Sequence, residues 1–130
     1  MTDCVRDAVA SDCEEIATIA DASENTISRM IHEREVRVYE CDGSIQGFLA
    51  FDTWQETVQI TRFVAEPENL RRLLEDPIQF GKSEQYPIEI IVPQSNTEIR
   101  STLTEVGFAK IDTGPRFSGE STDRYRLATN

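Results

Sequence analysis

The stretch Val92–Phe108 constrains the fold of this chain more than any other part of the sequence. It reads VPQSNTEIRSTLTEVGF and combines the end of a buried strand, a capped helix and a Gly-Phe ending. Asn96 opens the predicted helix, and Ser95 with Glu98 has the spacing of a capping box, which satisfies free backbone amides at a helix start. Gly107 suits the position after the helix because glycine adopts positive φ at little cost. The sequence therefore predicts a helix between two strands.

Hydrophobic periodicity along the rest of the chain predicts further strands and helices. The predicted strands are Cys4–Val9, Glu35–Cys41, Ser44–Asp52, Glu56–Ala65, Ile88–Val92, Phe108–Thr113 and Asp123–Ala128. The predicted helices run from Ser11 to about Ala22, over about Glu24–Glu33, just after Pro67 and over Asn96–Val106. Asp42-Gly43 predicts a tight hairpin turn, because glycine tolerates positive φ and aspartate bonds the turn backbone. The order of elements is therefore β-α-α-β-β-β-α-β-α-β-β.

Three other segments have a local interpretation. Ser11 and Glu14 have the spacing of a capping box, which predicts Ser11 as the cap of the N-terminal helix. Asp76–Pro87 is interpreted as a loop. Its Gly81-Lys82-Ser83 looks like the end of a nucleotide-binding P-loop, but Asp76 stands where that motif requires glycine, so a flexible turn is expected. A Gly/Pro/Ser-rich loop is expected between the last two strands.

The composition and charge of the chain limit the classes of partner. A chain of 130 residues has the size of one ordinary domain. Its 24 acidic and 13 basic residues give a net charge of −11, which argues against nucleic acid and anionic membranes, since both attract basic surfaces. No apolar run approaches the roughly 18 residues of a membrane-spanning helix, and no secretion signal is recognised. We therefore expect a soluble cytoplasmic protein.

The cysteines and the single histidine do not form a metal motif. Cys4, Cys13 and Cys41 have no CxxC spacing, and a structural zinc site needs four ligands. His32 is the only nitrogen ligand that could join them, and it is interpreted as a histidine near a helix end. No bound metal is expected, and the thiols are expected to be reduced and packed.

The charged residues are also unusual in kind, with eleven arginines but only two lysines, Lys82 and Lys110. Acidic, lysine-poor chains resemble proteins of salt-loving archaea, in which a highly charged surface maintains solubility where salt screens repulsion. An ordinary acidic protein from a GC-rich genome is the alternative. Either origin leaves the function open.

Four blocks of the sequence resemble the GNAT superfamily of acetyl-CoA-dependent N-acetyltransferases. They read VRDAVASDCEEIATIA, VYECDGSIQGFLAF, VQITRFVAEPENLRRLLE and VPQSNTEIRSTLTEVGF, in the family's order and spacing. The resemblance implies an α+β fold in which a mixed, mostly antiparallel sheet is flanked by about four helices. Residues 1–130 are then expected to form a single domain of this kind.

The resemblance also implies where acetyl-CoA would bind. In the family, backbone amides near the end of the fourth strand hold the acyl carbonyl and the pantetheine arm, and Phe63, Val64 and Ala65 occupy that position. A glycine-rich loop and the following helix start hold the pyrophosphate, but the corresponding AEPENLRRLLE contains no glycine. Its carboxylates Glu66 and Glu68 would repel pyrophosphate. Arg71, Arg72 and the helix-start residue Asn96 are the remaining residues predicted to contact the coenzyme.

The residues that would carry the chemistry are not identified by the resemblance. Many family members place a tyrosine that protonates the leaving thiolate where this chain has Leu103, which has no proton to give. The substitutes considered for that tyrosine are Tyr39, Tyr86 and water, and the carboxylates considered as the base are Asp52, Glu56 and Glu66. Two hypotheses therefore stay open. One is a divergent N-acetyltransferase for a small-molecule or protein amine, and the other is a non-catalytic domain that binds a ligand or a protein.

An interaction between copies is compatible with both hypotheses. The C-terminal strands are a candidate surface for a homodimer. Trp54, which follows the predicted strand Ser44–Asp52, is either an interface anchor or a cover over one end of the core.

Overall fold

The computed structural model describes residues 3–116 and 119–129. Its seven strands are β1 (Asp3–Asp7), β2 (Glu35–Cys41), β3 (Ser44–Trp54), β4 (Thr57–Val64), β5 (Ile88–Pro93), β6 (Ala109–Thr113) and β7 (Thr122–Leu127). Its α-helices are α1 (Cys13–Ala20), α2 (Glu24–Glu33), α3 (Pro67–Leu73), α4 (Glu75–Glu84) and α5 (Thr97–Val106), and a 3₁₀ turn covers Ala10–Asp12. The loop expected between the last two strands includes residues 117 and 118, which lie outside the described residues.

The strands form one mixed sheet in the order β1-β2-β3-β4-β5-β7-β6. All neighbours are antiparallel except β4 and β5, which are parallel. α1 and α2 cover one face of the sheet over β2 and β3, whereas α3, α4 and α5 cover the other face. The fold class predicted from the sequence, an α+β layered domain with a mostly antiparallel sheet, is confirmed.

Each face of the sheet has its own apolar core. On the first face, Ile16 and Ile27 of the helices pack with Val38 and Phe48 of the strands. On the second face, leucines of α3 and α5 pack with the aliphatic residues of β4 and β5. Alternate strand residues point to opposite faces, so a central strand of this sheet needs apolar residues at nearly every position. This explains why β5 is rich in apolar residues, with Glu89 as its one charged residue.

Several local predictions agree with the structure in detail. The second helix has the predicted bounds, and its cap Ser23 accepts a hydrogen bond from the Thr26 amide at 3.1 Å. Asp42 and Gly43 form the hairpin turn with φ of 52° and 82°, as a type I′ turn requires. Gly107 ends α5 with φ of 121°. These features depend on a few neighbouring residues, so they can be inferred from the sequence.

The loop predicted for Asp76–Pro87 is wrong, because most of it forms α4. Pro77 lies in the first turn of that helix, where a missing backbone N–H costs nothing. Gly81 is a helical residue rather than a flexible turn. A Cβ at Gly81 would approach the Tyr86 carbonyl oxygen to 2.7 Å and Ile88 Cδ1 to the same distance. Glycine therefore lets α4 pack closely on the start of β5.

Both predicted capping boxes are wrong. At the first, Asp12 occupies the cap position of α1, and its carboxylate accepts a hydrogen bond from the Val9 amide at 2.8 Å. At the second, Asn96 caps α5 by accepting from the Ile99 amide at 3.3 Å, while the Ser95 hydroxyl donates to Glu120. The opening of that helix by Asn96 is confirmed.

The edge strand β6 is exposed at all five of its residues. This is the C-terminal surface that the sequence suggested for a homodimer, and dimerisation stays a prediction. Trp54 at the end of β3 is 65% exposed, so it does not cover the core.

Candidate functional site

An open cleft lies where β4 and β5 separate. Their parallel ladder contains only three pairs, from Val58–Ile88 to Ile60–Ile90, after which the strands diverge. Pro93 ends β5 and has no backbone N–H to continue a ladder. The cleft encloses about 660 Å³ and is lined by Arg34, Gln59, Ile60, Thr61, Arg62, Phe63, Val64, Ala65, Ile91, Pro93 and Asn96. The segments 66–70 and 79–86 do not contribute to its lining, so neither of them fills it.

A β-bulge at Thr61 shapes the β4 wall of this cleft. Ile60 pairs with Phe51, but the next pair joins Arg62 to Ala50, so Thr61 is an extra residue on β4. The Thr61 hydroxyl donates to the Ala50 carbonyl at 3.3 Å. A bulge reverses the alternation of side chains beyond it. Arg62 therefore points to the face covered by α1 and α2, and not to the core beneath Ile60.

Phe63, Val64 and Ala65 line the cleft, and they are the residues that the sequence predicted for acyl and pantetheine contacts. In an antiparallel pair every second residue turns its N–H and C=O away from its partner strand. Beyond Ile60 no β5 residue pairs with β4, so the outward amides on this edge face the cleft. A Cβ at Gly47 would lie 2.9 Å from the Val64 carbonyl oxygen, which shows how closely β3 supports this wall.

Asn96 lines the opposite side of the cleft, and a buried polar cluster holds its segment. The carboxylate of Asp123 is 1% exposed and accepts a hydrogen bond from the Gln94 side chain at 2.9 Å. That hydrogen bond, followed by the charge of Lys110, holds the pKa of Asp123 below its usual value. Arg100 donates to the Gln94 carbonyl at 2.9 Å. The β5–α5 connection is thereby tied to both α5 and β7.

The region expected to hold the pyrophosphate is compact and acidic. Only Ala65 and Glu66 separate β4 from α3, and neither is glycine. Pro67 is the first residue of the seven-residue helix α3, so this position has no backbone N–H that could bind a phosphate. Glu66 and Glu68 are both exposed beside it. This arrangement disfavours a tightly held pyrophosphate at the start of α3.

Arg71 and Arg72 are engaged elsewhere and do not line the cleft. Arg71 forms an ion pair with Glu105 of α5, and Arg72 forms one with Asp3 of β1. The Arg72 guanidinium also lies 5.3 Å from the Tyr39 ring centroid. The Tyr39 hydroxyl donates to Asp3 at 2.8 Å, and this bond raises the pKa of Tyr39. The structure thus gives both arginines contacts that link α3 to other elements.

The residues considered for catalysis do not converge on the cleft. Leu103 is fully buried in the core beneath α5. Glu56 precedes β4 and Tyr86 precedes β5, so both lie at the end of the sheet opposite to the opening. The seven residue steps from Glu56 to Phe63 span about 23 Å in an extended strand. Neither side chain is brought to the acyl position.

Sequence reasoning missed two arginines that line the cleft, Arg34 and Arg62. Arg34 follows the last turn of α2, and the bulge at Thr61 directs Arg62 toward the same place. The described residues that line the cleft include no carboxylate, histidine, tyrosine or cysteine. Any acid–base step there must therefore use water or a group outside the lining.

Glu89 of β5 has a buried carboxylate, and no sequence pattern indicated a role for it. Glu89 pairs with Gln59 in the β4–β5 ladder and is 5% exposed. It accepts hydrogen bonds from Arg126 Nε at 2.8 Å and from Arg124 at 3.5 Å. Because both partners come from β7, Glu89 ties β5 to β7 and is not a free base.

Within residues 3–116 and 119–129, no helix is long and apolar enough to cross a membrane. The same residues contain no group of three or more histidine, cysteine, aspartate or glutamate side chains arranged to hold a metal ion.

Solved structures share this arrangement, although no protein-family model and no curated protein matches the sequence significantly. An N-acetyltransferase from Staphylococcus aureus Mu50 gives a TM-score of 0.85 at 8% identity over 99% of both chains. The protein yncA from Salmonella typhimurium, solved with its cofactor acetyl-CoA, gives 0.83 at 16% identity over 100% of this chain and 95% of that one. A GNAT-family acetyltransferase from Streptococcus pneumoniae gives 0.78 at 10% identity over 99% and 100%.

This chain therefore has the fold of the GNAT N-acetyltransferases, as the four sequence blocks indicated. It is a divergent example of that fold, in which a two-residue connection without glycine joins β4 to α3.

Proposed function

We propose that this chain binds acetyl-CoA in the cleft between β4 and β5 and transfers the acetyl group to a small-molecule or protein amine. It would act as a single, soluble cytoplasmic domain. The observation that carries the proposal is the open cleft, which Phe63, Val64 and Ala65 line on the β4 side. An acyl carbonyl and an extended pantetheine arm both need backbone hydrogen-bond partners, which a strand edge beside an open gap can offer, and a filled gap would exclude them.

The chemistry proposed for this cleft needs little from side chains. The neutral amine attacks the thioester carbonyl, a C–N bond forms, and the C–S bond breaks as the thiolate leaves. Backbone amides near Phe63–Ala65 would stabilise the oxygen of the tetrahedral intermediate. A thiol has a pKa near that of cysteine, about 8.5, so the thiolate can leave near neutral pH. The proton that the nitrogen loses as the amide forms passes through water to this thiolate, which gives the free thiol. Acyl transfer by this route does not need a tyrosine at the position of Leu103.

A second function is favoured by the β4–α3 connection. Glu66 and Glu68 place two carboxylates, and Pro67 lacks an amide, where a pyrophosphate would be held. Arg71 and Arg72 are occupied by Glu105 and Asp3. These features support a non-catalytic domain that uses the cleft for another ligand or for a protein.

Calorimetry and a thiol-release assay distinguish the two functions. We expect acetyl-CoA to bind with micromolar to millimolar affinity and to release free thiol only when an amine is present. Because the composition resembles that of salt-adapted proteins, both assays should be run at low and at high salt. Absence of binding heat at millimolar acetyl-CoA under both conditions would exclude the transferase. Binding without amine-dependent thiol release would favour the non-catalytic domain.

A matched pair of variants tests whether acetyl-CoA binds in the cleft. Ala65→Phe places a ring in the cleft, whereas Ala109→Phe makes the same change on the exposed strand β6. We expect the first variant to lose acetyl-CoA binding and the second to retain it. Equal binding by the two variants would place the coenzyme somewhere else.

A further inference from the structure

Three arginines of this acidic chain form no ion pair and no side-chain hydrogen bond among the described residues, whereas the other eight do. Of the eleven arginines in the sequence, seven form salt bridges, namely Arg6, Arg37, Arg71, Arg72, Arg100, Arg124 and Arg126. Arg116 donates to Ser121 and to the Gly119 carbonyl. Among the arginines that the structure describes, Arg29, Arg34 and Arg62 are the three with neither an ion pair nor a side-chain hydrogen bond.

These three arginines lie together. They line one depression of about 360 Å³ between the end of α2 and β4. Arg34, Arg62 and Thr61 also line the cleft, so the depression opens directly into the proposed acyl-transfer site.

The charges around the depression are unbalanced. Glu33 is the one carboxylate among its described lining residues, which leaves a local excess of two positive charges on a chain of net charge −11. Clustering like charges is unfavourable unless an anion separates them. Guanidinium groups bind carboxylates through paired hydrogen bonds in a fixed geometry. The depression is therefore suited to a small anion.

The position of Arg62 separates this anion from the phosphates of the coenzyme. Arg62 shares a sheet face with Ala50, which packs under α1 and α2. α3, beside which the coenzyme pyrophosphate would lie, packs on the opposite face. An anion bound by the three arginines thus approaches the cleft from the side away from the pyrophosphate, which is the side left for the acceptor amine.

We propose that the acceptor is a small amine that carries a carboxylate, and that Arg29, Arg34 and Arg62 bind this carboxylate. The proposal rests on the proposed transferase function and adds a substrate class to it. With the carboxylate held in the depression, the amino group would extend into the adjoining cleft toward the acyl position at Phe63–Ala65. Acceptors without a negative charge would lack this anchor.

A graded series of acceptors tests the substrate class. L-Glutamate, L-glutamine and L-glutaminamide each carry an α-amino group and have two, one and no carboxylates. We expect kcat/KM to rise roughly tenfold for each carboxylate, the size of a charge-assisted hydrogen bond, and the increase to shrink at high salt. Equal kcat/KM for the three amines, with transfer present, would overturn this inference and leave the proposed function standing. Phosphoethanolamine serves as a comparison, and its clear preference over L-glutamate would overturn the carboxylate assignment.

A direct measurement of L-glutamate binding tests the anion site independently of the transferase function. Calorimetry with L-glutamate alone should show binding that the triple variant Arg29→Gln, Arg34→Gln, Arg62→Gln loses and that Arg116→Gln retains. Because the three side chains form no ion pair or side-chain hydrogen bond with any residue that the structure describes, we expect the triple variant to keep its melting temperature. Binding that behaves in this way without any transfer would support the anion site and refute the enzyme. No difference between the triple variant and Arg116→Gln would refute the site.

Discussion

Arg62 on β4 stands directly opposite Ala50 on β3, although the preceding pair of the same ladder joins Ile60 to Phe51. The extra residue, Thr61, moves Arg62 from the buried face of Ile60 to the face of α2. Without the bulge, a guanidinium would enter an apolar core, which is strongly unfavourable for a charged group. With it, the guanidinium lies at the mouth of the cleft, so one inserted residue determines the electrostatics of the proposed site.

Replacement of Leu103 by alanine should affect stability and not chemistry. Leu103 is fully buried, and truncating a buried leucine costs roughly 2–5 kcal/mol. We expect urea unfolding to show a loss of this size. Where the variant is folded, its rate of acyl transfer should match that of the unmodified chain.

Ser101→Ala, on the exposed side of the same helix, is the matched control and should change stability by less than about 0.5 kcal/mol. A folded Leu103→Ala protein without transfer activity would show that this position has a role in the reaction.

Asp12 should contribute to the acid sensitivity of the fold. Arg6 binds both carboxylate oxygens of Asp12, at 2.9 and 3.0 Å, and this contact lowers the pKa of Asp12. The stabilisation is fully present above the unfolded pKa of about 3.9 and is lost as the pH falls through the lower folded pKa. Asp12→Asn should therefore cost about 1–2 kcal/mol at pH 7, and this difference should shrink below pH 4.

Unfolding curves at pH 7 and pH 3 measure the difference. Asp21→Asn replaces an exposed aspartate at the end of α1, which makes no ion pair among the described residues, and should leave the pH dependence unchanged. A difference between Asp12→Asn and the parent chain that is equal at both pH values would contradict the expected linkage.

Removal of the carboxylates beside α3 should strengthen coenzyme binding. Glu66 and Glu68 are exposed next to the region expected for the pyrophosphate, and a charge near a helix start changes such energies by roughly 0.3–1 kcal/mol. Glu66→Gln and Glu68→Gln should each tighten acetyl-CoA binding about twofold to fivefold. Calorimetry at low salt should detect this change.

S-Acetylpantetheine has no pyrophosphate, so its affinity should not respond to either substitution. Glu84→Gln, near the far end of α4, is the control for net charge. Equal gains for all three variants would point to overall charge rather than to local repulsion.

The pH dependence of transfer should follow the acceptor and not the protein. No described residue that lines the cleft is a carboxylate, histidine, tyrosine or cysteine, so we expect the amine to lose its proton to water. We expect log kcat/KM to rise with unit slope up to the pKa of the amine. Two amines of different pKa should then show two different inflections. An inflection at one common pH would reveal a base in the protein.

Local sequence signals predicted much of the fold and part of the site. Asp42-Gly43, Asn96 and Gly107 each act through backbone geometry within a few residues, so their roles are visible in the sequence. Phe63–Ala65 were located because the block order of the resemblance placed them at the end of the fourth strand. All of these positions lie at the predicted places in the fold, and the role of Phe63–Ala65 in coenzyme binding stays a prediction.

Other predictions failed where a distant contact overrides a local pattern. Asp76-Pro77 looks like the start of a turn, but Pro77 is tolerated in the first turn of α4, and the packing of Gly81 against Ile88 and Tyr86 stabilises the helix there. Ser11 has the local spacing of a cap, yet Asp12 occupies the cap position and pairs with Arg6 of β1. Periodicity alone contains no information about such partners.

The sequence by itself determined the order of the seven strands and of every α-helix except α4, because these elements follow from local periodicity. It also shows directly that the β4–α3 connection contains no glycine and that residue 103 is leucine. Only the tertiary structure shows that Arg29, Arg34 and Arg62 line one depression, and that Arg71 and Arg72 form ion pairs. It also shows that Glu56 and Tyr86 lie at the end of the sheet opposite to the cleft. The physical reason is that strand register, the β-bulge and helix packing bring together residues that are far apart in the chain. The electrostatic interaction between two charges depends on their distance in space and not on their separation in sequence.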